Sequence, residues 1–182
     1  MRVAVSLVLC MMLAAIPITS AQSDSNQENM WPGDPIDSHV HIESSLAAPD
    51  GFARVVIPRG TTTVIADPHE IANVKGNEGI RFMIQAAEKV PMDIYFMIPS
   101  CVPAASFEHS GAILDAAAID ELMDEKKVLG LGELMDYPSV ISAESGILDK
   151  IMTASGRNKL IDGHGPMIEG KALNAYISAG VR

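Results

Sequence analysis

Two histidines stand two residues apart in Asp37-Ser38-His39-Val40-His41-Ile42-Glu43, in a chain that has only five. Residues two apart on a strand project to the same side, so His39 and His41 would offer two imidazoles to one point. A divalent cation that takes both neutral rings removes the repulsion that two protonated rings would suffer. Imidazole and carboxylate recur in Asp67-Pro68-His69-Glu70, in Gly132-Glu133 and in Asp162-Gly163-His164. If each of these closes a strand, His39, His41, Glu133 and His164 make a ligand set of mixed nitrogen and oxygen type. Such a set suits Zn²⁺, Mn²⁺ or Fe²⁺ over Ca²⁺, which takes oxygen throughout. A carboxylate placed like Glu133 can bridge two ions with a nucleophilic hydroxide between them.

Each motif also has a reading without chemistry. His-x-His is common by chance, Glu133 fits a solvated position at a loop start, and His164 between two glycines fits a turn. His69 and Glu70 fit either the start of a loop or groups that orient a ligand or substrate. His109 reads as an exposed loop residue, and Cys101 as a small buried apolar one, because no histidine adjoins it in sequence. The acidic run over 120–125 reads as the wet face of a helix.

To bring those residues together the chain needs several strands ending at one rim. Apolar and β-branched runs predict strands over 36–40, 62–67, 94–98, 128–134 and 160–163. Helical patterning falls between and after them, over 49–57, 78–90, 116–126, 144–155 and 171–179. One strand plus one helix every ~30 residues is a βα unit, and a run of such units makes an α/β fold with a parallel sheet. Five units correspond to part of a TIM (β/α)₈ barrel, which takes eight units and ~250 residues. The alternative is an open doubly wound sheet. No nucleotide-type glycine fingerprint follows the first strand to favour it. Either fold gathers ligands at the carboxyl ends of its strands.

The 182 residues are 48% apolar with a mean hydropathy of +0.20, enough for a domain with a core. Thirteen basic against 23 acidic side chains give a net charge of -10, which repels phosphate backbones and anionic lipid and leaves no case for nucleic acid as partner. Residues 1–21 read as an export signal: Arg2, then an apolar run from Val3 to Ile16, then small residues at Thr19-Ser20-Ala21. The run is too short for a membrane span, which takes ~20 apolar residues. Residues 22–31 read as a polar tether. Cleavage after Ala21 would leave Cys101 as a single cysteine, with no internal disulfide. The segment implies a secreted or periplasmic protein; without it the expectation is cytoplasmic.

From Pro32 onward the chain resembles the adenine deaminases of the amidohydrolase superfamily. The likeness lies in Ile36 to Ser45, in Gly60 to Val74, in Pro99-Ser100-Cys101-Val102-Pro103-Ala104 and in Gly130 to Pro138. Asp162-Gly163-His164 and Leu173-Asn174-Ala175-Tyr176 complete it. His-x-His alone would indicate only the superfamily; the second and fourth blocks point to the adenine deaminase branch. The resemblance implies a (β/α)₈ barrel with a binuclear divalent metal site, Mn²⁺ or Fe²⁺ with Zn²⁺ as the further option. His39 and His41 would bind one ion, Glu133 would bridge, and His164 would bind the second. His69 would be a further metal residue or lie close to the substrate. The implied reaction converts adenine and water to hypoxanthine and ammonia, with Glu133, His69 and Glu70 as the catalytic residues.

Residues 32–182 then form a truncated amidohydrolase barrel domain. The family's small β-rich domain is replaced by the signal-like segment, and its Pro-Gly-Phe-Ile lead-in stands here as Pro32-Gly33-Asp34-Pro35-Ile36. Two further metal residues, a histidine on a sixth strand and an aspartate on an eighth, would follow Arg182 in the family. The expectation is weak or absent deaminase activity for this chain alone, with a homo-oligomer or a C-terminal complement covering its open edges. A non-enzymatic secreted metal-binding fragment and an amidohydrolase acting on another cyclic amide are the alternative readings.

Overall fold

The computed structural model describes residues 35–105 and 107–182. The signal-like segment 1–21 and the tether 22–31 lie outside the described residues.

Among the described residues the apolar and β-branched runs form five strands: β1 (Ile36–Val40), β2 (Thr63–Ala66), β3 (Asp93–Ile98), β4 (Val128–Leu134) and β5 (Leu160–Gly163). All neighbours pair in parallel, and the order across the sheet is β1-β2-β3-β4-β5. Each strand lies beside its predecessor, with none of the order reversal that defines a doubly wound sheet. The sheet therefore curls as part of a TIM barrel. Register shifts interrupt the β1/β2, β3/β4 and β4/β5 pairings near the carboxyl ends of β1 and β5 and within β4. Such irregularities bend a sheet and re-aim side chains beside functional sites.

Among the described residues six α-helices lie between and after the strands, two of them between β4 and β5: α1 (Pro49–Val56), α2 (His69–Ala87), α3 (Ala116–Asp120), α4 (Tyr137–Ile141), α5 (Ser145–Gly156) and α6 (Gly170–Ser178). Val64, Ala66, Ile94, Phe96 and Ile98 alternate along β2 and β3 into the core that the helices cover. Of the intervening residues, Ile65 and Met97 line a cleft on the other side. No helix among the described residues is long and apolar enough to cross a membrane.

Two helices depart from the patterning. α2 begins at His69 and not near 78, because it is two helical stretches joined at Gly76, whose φ of 56° breaks the regular path. The later stretch carries the apolar periodicity that the sequence displays. α3 stops at Asp120. The next residues turn more tightly, with Leu122 N–H bonding Ile119 C=O and Met123 N–H bonding Asp120 C=O, three residues back in each case. Those turns sink Leu122 and Met123 into the core. α4 was not apparent from periodicity at five residues, yet its start is written in Asp136 and Pro138: the Asp136 carboxylate accepts the Ser139 N–H at 3.3 Å and Pro138 occupies the first turn.

Candidate metal centre

Glu133, near the end of β4, is only 4% exposed although its side chain is a carboxylate. Its backbone is held from both sides. The N–H donates to Asp67 Oδ2 at 3.1 Å, and the C=O accepts the Ser100 hydroxyl. Ser100 is itself anchored, its C=O accepting the Lys150 ammonium at 2.7 Å. Gly132 makes the first of these contacts possible, because a Cβ there would run into the Asp67 carboxylate.

Held this way, the Glu133 carboxylate divides between two groups. Oε1 lies 3.0 Å from His39 Nε2 and 3.0 Å from His41 Nε2, both from the end of β1. Oε2 lies 2.6 Å from His164 Nδ1, just past β5. The far nitrogens of the β1 pair are occupied by acceptors. His39 Nδ1 donates to Asp162 Oδ2 at 3.2 Å, and His41 Nδ1 donates to the Asp67 C=O at 2.8 Å. With a proton fixed on each Nδ1, both Nε2 atoms carry lone pairs toward the centre. They stand 3.2 Å apart and face a carboxylate oxygen, so with both rings neutral three lone-pair atoms converge on one point. A cation satisfies that arrangement; nitrogen and oxygen donors of this kind fit a transition-series divalent ion. On the β5 side, Tyr176 places His164: its hydroxyl accepts the His164 N–H at 2.9 Å and donates to the Leu134 C=O at 2.7 Å.

His69 and Glu70 do not bracket a loop; they open α2. His69 Nδ1 is 3.8 Å from Glu133 Oε1, and Glu70 Oε2 is 3.6 Å from His69 Nε2 and 4.0 Å from His41 Nδ1. Burial lowers the His69 pKa, with the Glu70 charge opposing. For Glu70 burial acts upward, but the Ser44 hydroxyl and its own backbone N–H outweigh it and hold the pKa below the usual value. Its neighbour Glu43 is pushed up to about 7 by burial, with the Glu70 charge adding to the rise. Asp67 lies well above the carboxylate range, from burial first and then from Glu133.

The structure thus brings together every residue singled out as a ligand or as substrate-proximal. His109 stays apart, exposed in a loop. Cys101 is buried, its thiol pushed up to about 12 by burial and by the charges of Asp67 and Glu133, so it is no nucleophile. It does have a histidine neighbour, His69, but in space and not in sequence. Sequence reasoning missed Asp67, Ser100, Lys150 and Tyr176 as supports, and Asp162 as the partner of His39. A cleft of about 480 Å³, lined by Ser38, His39, Glu133, Asp162 and His164, opens beside the centre. Its size falls in the ~300–1,000 Å³ range of small-molecule sites.

A partial parallel barrel with imidazoles and a buried carboxylate at its carboxyl rim is the architecture of a metal-dependent hydrolase. The amidohydrolase family pattern matches residues 35–182, and the chain belongs to that family, whose membership implies a divalent metal. Among curated proteins it is 56% identical over 147 residues to an adenine deaminase of Clostridium acetobutylicum, covering 81% of this chain and 26% of that protein. It is 52% identical over 146 residues to an adenine deaminase of Halalkalibacterium halodurans, covering 80% and 25%. Against an adenine deaminase of Nitratidesulfovibrio vulgaris it is 52% identical over 159 residues, covering 87% and 28%. The chain spans about a quarter of the length of the curated relatives it matches.

Proposed function

We propose that this chain carries the amino-terminal part of an adenine deaminase centre, holding a pair of divalent ions, Mn²⁺ or Fe²⁺ with Zn²⁺ as an alternative, beside a purine site. The observation that carries this reading is the division of the Glu133 carboxylate, one oxygen to His39 and His41 and the other to His164. His39 and His41 would hold one ion, His164 the other, and Glu133 both. Ions so held acidify water at neutral pH and stabilise the charge that develops on the attacked purine carbon.

The remaining work falls to the chain. Asp162 and the Asp67 carbonyl fix the Nδ1–H tautomer of the two rings and aim both Nε2 atoms inward. Glu70, held ionised and with an unpartnered Oε2, accepts an N–H of the purine, and His69 beside it orients the ring. Burial of Glu133 keeps water from competing for its oxygens. The net reaction is adenine plus water to hypoxanthine plus ammonia, in purine metabolism, and the 1–21 segment supports export of the chain.

Equilibrium dialysis of the full chain against Mn²⁺ tests the ligand assignment. Two bound ions are expected, with His39→Ala weakening one and His164→Ala the other. A single ion whose affinity neither variant alters would contradict it.

A further inference from the structure

The two stretches of α2 are held in different ways. The later one buries Gly79, Ile80, Met83, Ile84 and Ala87, and the Asn77 side-chain amide donates to the Ala118 C=O at 2.8 Å. The earlier one carries His69 and Glu70, buries Ala72 alone before the Gly76 junction, and leaves Val74 and Lys75 exposed. A stretch with so few buried apolar contacts of its own takes its orientation from its neighbours.

Two close approaches set that orientation. Gly76 stands at φ 56° and ψ -140°, a region essentially reserved to glycine, and a Cβ there would lie 3.1 Å from the Ala112 Cβ. At Gly111 a Cβ would lie 2.8 Å from the Val74 C=O and 2.9 Å from the Asn73 C=O. The Asn73 C=O, which a straight helix would turn toward Asn77, accepts the Gly111 N–H at 2.7 Å. Gly111 is itself anchored. The Ser110 hydroxyl donates to the Ala112 C=O, and Leu114, fully buried, donates its N–H to the Val102 C=O beyond β3 at 2.9 Å.

We propose that Gly111 is a positioning residue: through the Asn73 carbonyl it ties the opening stretch of α2 to the segment after β3, and so sets where His69 and Glu70 stand beside Glu133. Asn73 lies one turn beyond both side chains, so a shift at its carbonyl is carried to them by the helix. That these side chains meet a purine rests on the adenine deaminase reading; the tie does not.

Amide exchange followed by nuclear magnetic resonance on the full chain reads the tie. In the unsubstituted chain the Gly111 amide should exchange about tenfold or more slower than that of Ile113, exposed in the same segment. In Gly111→Ala, whose Cβ would push away the Asn73 and Val74 carbonyls, the amides of 72–75 should lose protection about tenfold while those of 80–87 keep theirs. By calorimetric titration, Mn²⁺ affinity should be unchanged and adenine affinity of the Mn²⁺-loaded chain about tenfold weaker. A packing role alone would lower protection throughout the chain and leave adenine affinity unmoved. Rapid exchange of the Gly111 amide, or equal adenine affinity in the two folded chains, would overturn the proposal. An unsubstituted chain that binds no adenine would instead sink the adenine deaminase reading, and exchange then decides the tie alone. Should Gly111→Ala fail to fold, the Gly111 amide of the unsubstituted chain decides.

Discussion

Asp162 lies 123 positions from His39 in sequence, yet its carboxylate fixes the proton on His39 Nδ1. Partners of this kind typically contribute 10- to 100-fold to metal affinity. Asp162→Ala should therefore weaken Mn²⁺ binding by about that factor while leaving the melting temperature of the metal-free chain nearly unchanged; calorimetric titration and thermal unfolding measure the two. Glu43 gives a pH signature. Its carboxyl titrates at about 7 in the folded chain against an ordinary 4.5, raised by burial first. The folded state holds this proton more tightly than the unfolded state. Its stabilising contribution is thus complete below pH 4.5 and lost as pH rises through about 7. Asp67 acts in the same direction. In chelator, urea midpoints should fall across that window, and Glu43→Gln should flatten the fall.

At the scale of elements, the end of β4 is set by its neighbours. Gly132 admits the Asp67 carboxylate from β2, and the Ser100 hydroxyl after β3 clamps the next carbonyl. Gly132→Ala should destabilise the chain by about 1–3 kcal/mol in urea unfolding, as overpacking of a tight interior does. Tyr176→Phe, which removes the hydroxyl between α6 and the ends of β4 and β5, should cost about 1–3 kcal/mol and loosen His164. The strands were the legible part of this architecture: β1, β4 and β5 begin and end where their apolar and β-branched runs do. The gathering of His39, His41, Glu133 and His164 was legible with them, because each closes a strand or follows one directly. The supports were not, since Asp67 meets the Glu133 N–H across 66 positions and Lys150 meets the Ser100 carbonyl across 50. Such pairings depend on register and on close approach, and neither leaves a periodic trace. The start of α2 was hidden because Gly76 divides it, and periodicity registers only the later half.

At the scale of the molecule, β1 and β5 are the edges of the described sheet. Ile36 on β1 is 63% exposed and Leu160 on β5 is 47% exposed, and apolar edges of this kind invite pairing with other chains. The net charge of -10 opposes association at low salt. Sedimentation velocity should show self-association that grows with ionic strength, and Ile36→Lys with Leu160→Lys should suppress it. The proposed pair of ions would require the same curvature, because the residues assigned to it come from β1, the stretch just after it, β4 and the residue after β5. Electron paramagnetic resonance of the Mn²⁺-saturated chain measures the pair itself: the spectrum of an exchange-coupled pair is expected, reverting to isolated Mn²⁺ in Glu133→Gln, and isolated Mn²⁺ alone in the unsubstituted chain would refute a shared Glu133.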